Sequence, residues 1–265
     1  MVTYAYVSAG SEATGGAGIQ VDLKTFHQLG VFGMGTITCV VSVDPKNDWA
    51  HRFVPLDAGL IADQIEAATS IRSLDTVKVG MLGTAATIDV VGLKRQAWKN
   101  VVVDPVLICK GGDLGPAREV DDQLREKILS QATVATPNYF EACTLSGLDR
   151  LETVEEMTEA ARIISAQGPR YVLVKGGVDF PGPDAVDVLW DGEAATVYSE
   201  PKVGHERVSG AGCTLAAAVT AELAKGAGIH DAVRVAKDVV TASIKGRVPA
   251  GTPFDWAWQG AYASA

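Results

Sequence analysis

Short apolar runs alternate with longer helical patterns along the whole sequence, and this alternation limits the folds that the chain can adopt. Residues 101–108 read VVVDPVLI, a run whose three leading valines are apolar on both faces. Strands of this kind are buried between two layers of helices, which is the environment of a parallel sheet. Because helical patterns separate the strand candidates along the chain, the sequence predicts an α/β fold with a mostly parallel central sheet.

The same patterns give the individual elements. Strands are predicted at Val2–Ser8, Thr36–Val43, Thr76–Val79, Val101–Ile108, Thr133–Thr136, Tyr171–Val174 and Ala185–Trp190. Helices are predicted near residues 18–29, 57–72, 85–98, 118–130, 139–146, 153–167, 213–225 and 230–245. Since no linker, repeat or low-complexity tract divides them, we expect a single domain over residues 1–265.

Composition argues against several classes of protein. The formal net charge is −9, and no run of Lys or Arg could follow a nucleic-acid backbone. No apolar stretch approaches the roughly 20 residues of a membrane helix, and the first residues do not resemble a signal peptide. The four cysteines lie far apart without a CxxC pair, so we expect free thiols in a reducing cytoplasm and no zinc site. Neither nucleic acid nor a membrane is an expected partner.

In parallel sheets, ligands bind beyond the carboxyl ends of the strands, so the residues after each strand are the first candidates. The loop after the first strand contains Gly15, Gly16 and Gly18, which permit close approach of the backbone to a ligand. It matches neither the P-loop nor the GxGxxG pattern of dinucleotide sites. The loop is therefore either a turn that precedes a helix or part of a ligand site.

Charged residues follow three later strands. Asp104 ends an apolar strand, where a carboxylate needs solvent, a partner or a metal ion. Lys175 precedes two glycines and is placed to meet a phosphate, although a solvated lysine is the alternative. Asn138 and Glu141 have the spacing of a helix cap, which explains them without any ligand. The Gly-rich, charged stretch over residues 109–118 could close over a site as a lid.

Residues 209–226, SGAGCTLAAAVTAELAKG, place Cys213 on the first turn of an apolar helix, directly after three small residues. A helix N-terminus has unpaired N–H groups and a partial positive charge, so it forms an anion site and can stabilise a developing negative charge. The same position is expected to lower the pKa of the thiol. A buried cysteine behind a tight turn is the structural alternative.

The chain resembles the ribokinase-like superfamily, in the branch that holds hydroxymethylpyrimidine(-phosphate) kinases and a group of bacterial pyridoxal kinases with two cysteines. The stretches that carry the resemblance, in family order, are AGSEATGGAGIQVDLKTF, KVGMLGT, VVVDPVLICKGG, TPNYFEA, VLVKGG and SGAGCTLAAA. They extend from residue 9 to about residue 218, which is most of the chain. The resemblance implies a three-layer sandwich, phosphorylation of a hydroxymethyl group by ATP with Mg²⁺ and sometimes a monovalent cation, and a homodimer.

The resemblance also implies a role for each candidate. Cys213 would take the proton of the acceptor hydroxyl, where most superfamily members have Asp. The anion hole would be formed by Gly210, Ala211, Gly212 and the amide of Cys213. ATP would contact Asn138, Lys175 and Gly176, and Mg²⁺ would be held directly or through water by Asp104 and Glu141. The acceptor pocket would be shaped by Glu12, Gly18, Val43, Met81, Val106 and Cys109. Glu12 departs from the family, which has Asp there.

Two residues distinguish the acceptors of this branch. Pyrimidine kinases have a small residue where this chain has Cys109, and Gln where it has Val43. A thiolate adds reversibly to the aldehyde of pyridoxal and gives a hemithioacetal, whereas the pyrimidine alcohol has no aldehyde. We therefore expect the 5′-hydroxymethyl group of pyridoxal as acceptor, in vitamin B6 salvage. Hydroxymethylpyrimidine kinase activity, alone or as a second activity, is the alternative.

Two other classes of protein remain as alternatives. A non-catalytic vitamin- or nucleotide-binding protein could keep the fold, although the intact set of candidate residues argues against it. A thiol hydrolase would pair Cys213 with His205, but the sequence offers no evident third group to orient the histidine.

Overall fold

The computed structural model describes residues 2–94, 98–107 and 115–263. The strands in these residues are β1 (Thr3–Glu12), β2 (Val31–Asp44), β3 (Ala50–Pro55), β4 (Thr76–Val79), β5 (Asn100–Val103), β6 (Val134–Ala135), β7 (Tyr171–Lys175), β8 (Asp184–Trp190) and β9 (Ala195–Pro201). The α-helices are α1 (Gly18–Gln28), α2 (Ala58–Ile71), α3 (Ala85–Lys94), α4 (Gly115–Lys127), α5 (Tyr139–Ser146), α6 (Val154–Ser165), α7 (Ala211–Ala224) and α8 (Ile229–Lys245).

The strands form one sheet in the order β3-β2-β1-β4-β5-β6-β7-β8-β9. Neighbouring strands from β2 through β7 are parallel, and the pairs β2–β3, β7–β8 and β8–β9 are antiparallel. One hydrophobic core contains side chains of α2 to α6, and the other contains side chains of α1, α7 and α8. The expected α/β three-layer sandwich with a mostly parallel sheet is therefore confirmed.

The three valines of β5 show why the run is apolar on both faces. Val101 and Val103 pack in the core that contains Ile88, while Val102 packs in the core that contains Val219. All three valines are fully buried. Successive side chains of a strand point to opposite faces, so a strand between two helical layers buries side chains on both faces and is mostly apolar.

The predicted elements differ from the structure mainly at the edges of the sheet. β3 and β9 were not predicted, because all of the side chains of β3 and most of those of β9 are exposed or half-buried and carry little apolar pattern. β2 begins at Val31 rather than Thr36, and β1 continues to Glu12, into the predicted glycine loop. Parallel pairing between these two strands extends both of them beyond their apolar runs.

Helix ends differ by a few residues. The helix predicted at 118–130 begins at Gly115, so part of the stretch that was predicted as a lid is helical. The helix predicted at 85–98 does not include Trp98. The helix predicted at 213–225 begins at Ala211, after Gly210 in a left-handed conformation with φ of +80°. In the part of the chain that the structure describes, no helix has the length and apolarity that crossing a bilayer requires.

Candidate active site

The parallel strands end at one edge of the sheet, and a cavity of about 560 Å³ lies there beside the N-terminus of α7. Most of the candidate residues line this cavity. They are Asp104, Val106, Asn138, Glu141, Lys175, Gly176, Gly210, Ala211, Gly212 and Cys213. They come from four different loops, and the sheet topology brings them together as the sequence predicted.

A chain of buried ion pairs extends from the lining of this cavity into the protein. Lys175 Nζ is 2.9 Å from Asp104 Oδ1, so the predicted phosphate ligand and the predicted metal ligand are paired with each other. Lys78 Nζ lies 3.8 Å from the other oxygen of Asp104 and 2.6 Å from Asp22 Oδ1. Asp104 is therefore stabilised by a lysine on each side, which answers the question of how a carboxylate is accommodated after an apolar strand.

These ion pairs keep the charges in place despite burial. Burial raises the pKa of Asp104, but Lys175 and Lys78 outweigh it and hold that pKa below its ordinary value. Burial opposes the charge of Lys78, whose pKa is nevertheless raised by Asp22, Cys213 and Asp104. Burial raises the pKa of Asp22 to about 6, with Lys78 acting in the opposite direction. Both lysines and Asp104 are therefore charged at neutral pH, and Asp22, with a pKa of about 6, is mainly ionised as well.

Sequence reasoning missed Lys78 and Asp22. Lys78 stands in the middle of a buried strand, TVKV, and a lone charge in such a run is the signal that could have identified it. Asp22 lies on the buried face of α1, four residues after Gly18. Its second carboxylate oxygen, Oδ2, is buried and has no hydrogen-bond partner among the described residues.

Asn138 and Glu141 form the helix cap that their spacing predicted. The side-chain oxygen of Asn138 accepts the Glu141 N–H at 2.9 Å, and Glu141 Oε2 accepts the Asn138 N–H at 2.8 Å. This capping box fixes the first turn of α5 beside the cavity. Both residues therefore have a structural role, and their contacts with ATP and Mg²⁺ stay predictions.

Cys213 occupies the first turn of α7, but its thiol does not have the lowered pKa that the sequence predicted. Loss of hydration raises the pKa of Cys213 to about 11. Lys78 and the N–H of Gly18 act in the lowering direction, whereas the negative charges of Asp104 and Asp22 add to the increase. The helix N-terminus is thus outweighed by burial and by two carboxylates that were not considered at this position.

A second buried ion pair supports the Lys175–Gly177 turn. Lys237 Nζ donates to Asp187 Oδ2 at 2.7 Å and to the carbonyl of Ala185 at 2.8 Å. The other oxygen of Asp187 accepts the N–H of Gly176 at 3.1 Å. Lys237 lines the cavity, but Asp187 neutralises its charge. The pair therefore holds the backbone of Gly176, which was predicted to contact ATP.

A smaller cavity of about 90 Å³ is lined by Glu12 and Val43, two of the residues predicted for the acceptor. Its aromatic lining was not predicted and consists of Trp49, His51, Phe254 and Trp256. These residues lie on β3, on the turn before it and near the C-terminus, where no strand-end pattern marks them. The structure therefore separates Glu12 and Val43 from Val106, which lines the larger cavity.

Glu12 organises its own loop. Its carboxylate accepts the N–H of Thr14 at 2.9 Å and the N–H of Gly16 at 3.3 Å, and the Thr14 hydroxyl also donates to it. The longer side chain at this position thus reaches backbone amides of the glycine loop. A contact between Glu12 and the substrate stays a prediction.

Three other predicted residues are placed as follows. Gly18 has φ of +66°, and a Cβ there would lie 2.2 Å from the carbonyl oxygen of Gly10, so only glycine fits. Met81 accepts the hydroxyl hydrogen of Thr38 through its carbonyl oxygen and lines neither of the two cavities. Cys109 lies outside the described residues.

Asp104 and Glu141 fit a magnesium ion that is also held by a nucleotide. Both are oxygen donors, are at least nine-tenths buried and line the larger cavity. No cluster of three or more His, Cys, Asp or Glu residues that could hold a metal occurs in residues 2–94, 98–107 and 115–263. Mg²⁺ is commonly bound by one or two carboxylates, waters and substrate phosphates, so two carboxylates suffice. The lysine pairs of Asp104 favour contact through water.

Comparison with known proteins decides between the classes left open by the sequence. The family model described as phosphomethylpyrimidine kinase matches residues 12–255. The chain belongs to the phosphomethylpyrimidine kinase family. Among curated proteins, it is 46% identical over 243 residues to the pyridoxine kinase of Bacillus subtilis, with 91% of this chain and 90% of that protein covered.

Two solved structures extend the family assignment. The ADP complex of Bacillus subtilis pyridoxal kinase matches with a TM-score of 0.94 and 43% identity over 98% of both chains. Staphylococcus aureus pyridoxal kinase, in complex with AMP-PCP and pyridoxal, matches with a TM-score of 0.91 and 36% identity over 99% of this chain and 95% of that chain. The predicted ribokinase-like kinase is thereby confirmed.

The family assignment removes the two alternatives outside the kinases. This chain belongs to a family of kinases, so it is an enzyme and not a non-catalytic binding protein. His205 is exposed, and within the described part of the chain no hydrogen bond joins it to Cys213. A hydrolase in which His205 activates Cys213 is therefore not supported.

Proposed function

We propose that this chain transfers the γ-phosphoryl group of ATP to the 5′-hydroxyl of pyridoxal and so produces pyridoxal 5′-phosphate in the cytoplasm. The observation that carries the proposal is the larger cavity, where a helix N-terminus, Lys175 and the carboxylates of Asp104 and Glu141 face one space. The pyridoxine kinase and pyridoxal kinase relatives support the choice of acceptor. The nucleotide complexes of these relatives also support ATP as the phosphoryl donor. For the assembly, we propose a homodimer.

In the proposed reaction, Cys213 accepts the proton of the 5′-hydroxyl. The hydroxyl oxygen forms a bond to the γ-phosphorus while the bond from that phosphorus to the β–γ bridging oxygen breaks, and ADP leaves. The N–H groups at the start of α7, from Gly210 to Cys213, stabilise the charge on the transferring group, because a helix N-terminus attracts anions. Lys175 faces the same cavity and adds positive charge.

The high pKa of the Cys213 thiol affects how it acts as a base. At neutral pH the thiol is mostly protonated, so few molecules carry the thiolate. A thiolate of high pKa is in turn a stronger base toward an alcohol, which partly offsets its low population. Lys78 is the buried cation that acts against this increase in pKa.

Asp104 and Glu141 would hold the Mg²⁺ that accompanies ATP. Mg²⁺ supplies charge neutralisation of the phosphates when it is bound. Asn138, Lys175 and Gly176 would contact the nucleotide from the adjacent loops. The family resemblance also implies a monovalent cation.

Hydroxymethylpyrimidine is the second candidate acceptor, because the family model that matches the chain is described as phosphomethylpyrimidine kinase. Val43 argues against it, since this apolar residue lines the smaller cavity where a polar residue would read the pyrimidine ring. Cys109 also argues for an aldehyde substrate, through reversible addition of its thiolate to the carbonyl carbon.

The proposal is tested by incubating the chain with Mg-ATP and pyridoxal and identifying the product by phosphorus NMR. We expect a phosphate monoester at the 5′ position and one ADP for each ester. Cys213→Ser should nearly abolish turnover, because a hydroxyl is a much weaker base than a thiolate. Turnover of Cys213→Ser near the wild-type rate would contradict the role of Cys213 as base while leaving the kinase activity intact.

A further inference from the structure

The segment near the C-terminus, residues 255–262, contacts both loops of the proposed site. The N–H of Ser209 donates to the carbonyl of Asp255, and the N–H of Ala257 donates back to the carbonyl of Ser209, both at 2.9 Å. Between these two bonds, the indole ring of Trp256 packs against Gly16 so closely that a Cβ at Gly16 would lie 2.4 Å from it. Residues 255–262 thus connect the loop before α7 with the glycine loop after β1.

A second contact of this segment reaches the helix of Cys213 itself. Gln259 is 2% exposed, and its side-chain amide donates to the hydroxyl oxygen of Thr214 at 2.9 Å. The Thr214 hydroxyl in turn donates to the carbonyl of Gly210 at 2.8 Å. Thr214 directly follows Cys213, so this relay begins at Gln259 and ends at the first residue of the proposed anion hole.

The relay fixes the direction of one proton. A hydroxyl group can donate its one hydrogen and can also accept a hydrogen bond. Here the Thr214 hydroxyl oxygen accepts the hydrogen bond from the Gln259 amide. The Thr214 hydrogen is therefore directed to Gly210, whose φ of +80° marks the point where the chain turns into α7. A Cβ at Gly210 would lie 2.4 Å from the carbonyl oxygen of Gly16, so the two loops are also in close contact here and leave no space for a side chain at Gly210.

We propose that Gln259 is a positioning residue for phosphoryl transfer, acting through Thr214 on the anion hole formed by Gly210 to Cys213. Its side-chain amide donates to Thr214 and to the carbonyl of Ala257, and Gln259 is not among the described residues that line the larger cavity, so it acts on the orientation of the hole and not on substrate. The inference rests on the proposed phosphoryl transfer. It adds a residue from the end of the chain, beyond all the motifs that the sequence singled out.

The test is a double-mutant cycle on the full-length chain. We expect Gln259→Leu and Thr214→Val each to lower kcat by about tenfold or more, because small misplacements of a catalytic group are costly. The KM for ATP should stay near the wild-type value. Because both changes break the same relay, adding Gln259→Leu to Thr214→Val should cause no further loss of kcat. Thr214→Ser, which keeps the hydroxyl, should recover kcat relative to Thr214→Val.

A matched control separates positioning from simple loss of stability. The side-chain amide of Gln167 also donates to a backbone carbonyl, that of Leu145 at 2.7 Å, but joins the ends of α6 and α5. Gln167→Leu should lower the melting temperature and leave kcat unchanged. Losses of kcat that multiply in the double variant, or a Gln259→Leu variant with reduced melting temperature and normal kcat, would overturn the inference.

Turnover of each acceptor is first measured with the wild-type chain. This measurement distinguishes failure of the proposed function from failure of the positioning role of Gln259. Absence of turnover with pyridoxal would contradict the proposed function. Turnover with any hydroxymethyl acceptor still allows the cycle to be measured, and multiplicative losses there would contradict the positioning role alone.

Discussion

At the scale of single residues, the structure changes what is expected of Cys213. The helix N-terminus alone suggested a thiolate at neutral pH, but burial and the carboxylates of Asp22 and Asp104 raise the pKa of the thiol to about 11. Charge at one residue is therefore decided by groups that are distant in sequence. Lys78 is the residue that acts against both carboxylates.

Alkylation of Cys213 measures this protonation state in the free chain. With a pKa of about 11, the thiolate fraction should rise about tenfold per pH unit from pH 7 to pH 10. The rate constant for iodoacetamide, followed on the Cys213 peptide by mass spectrometry, should follow that slope and lie below that of N-acetylcysteine at pH 8. A plateau at or below pH 8 would contradict the raised pKa. Cys109→Ala removes the other proposed reactive thiol from the measurement.

Cys109 gives a prediction about the substrate. If its thiolate adds to the aldehyde carbon of pyridoxal, Cys109→Ala should reduce kcat/KM for pyridoxal much more than for pyridoxine, which has an alcohol in place of the aldehyde. Steady-state kinetics with both acceptors provides the comparison. Equal losses for the two acceptors would exclude the hemithioacetal.

Lys78 gives a prediction about stability. Lys78→Met leaves Asp22 without its partner and Asp104 with one lysine, so the free energy of unfolding should fall by about 3–5 kcal/mol. Lys99→Met breaks an exposed pair with Asp75 and should cost about 1 kcal/mol or less. Urea denaturation followed by circular dichroism measures both variants. Equal small losses would mean that the buried pair is not a determinant of stability.

At the scale of elements, the N-terminus of α7 depends on a glycine in a left-handed conformation. Gly210→Ala would force an unfavourable φ and bring a Cβ within 2.4 Å of the Gly16 carbonyl oxygen. We expect kcat to fall by about 100-fold, since the anion hole must move. Gly226, just beyond the other end of the same helix, has φ of +92° and open space around its Cβ position.

Gly226→Ala is therefore the control for the backbone cost alone. It should lower the melting temperature slightly and leave kcat near the wild-type value. A Gly210→Ala variant with the same small effect would show that the contact with Gly16 is not needed for catalysis.

The elements that sequence patterns predicted best are central strands, which are buried on both faces, and helices, which have one buried apolar face. Packing imposes these patterns on β4, β7 and the eight helices of the described residues, and the predictions for them are correct to within a few residues. The strand predicted at Val101–Ile108 ends at Val103, because Asp104 and Pro105 follow it. β3 and β9 were missed because their exposed side chains are free of that constraint. These edge strands form because they pair with a neighbouring strand, and the local sequence does not show that pairing.

At the scale of the whole molecule, the order of loops along the chain determines which residues meet. Loop residues at strand ends could be predicted because parallel strands end at one edge of the sheet. The buried partners Lys78 and Asp22 could not be predicted from loops, since they lie within a strand and a helix. Gln259 and Trp256 reach the site through the path of the last segment, which follows no repeating pattern.

We propose that this chain is a kinase whose preferred acceptor is pyridoxal. The most direct measurement is kcat/KM with Mg-ATP for pyridoxal, pyridoxine, pyridoxamine and hydroxymethylpyrimidine under one set of conditions. We predict the highest value for pyridoxal. A higher value for hydroxymethylpyrimidine, or no phosphorylation of any of the four acceptors, would contradict the claim.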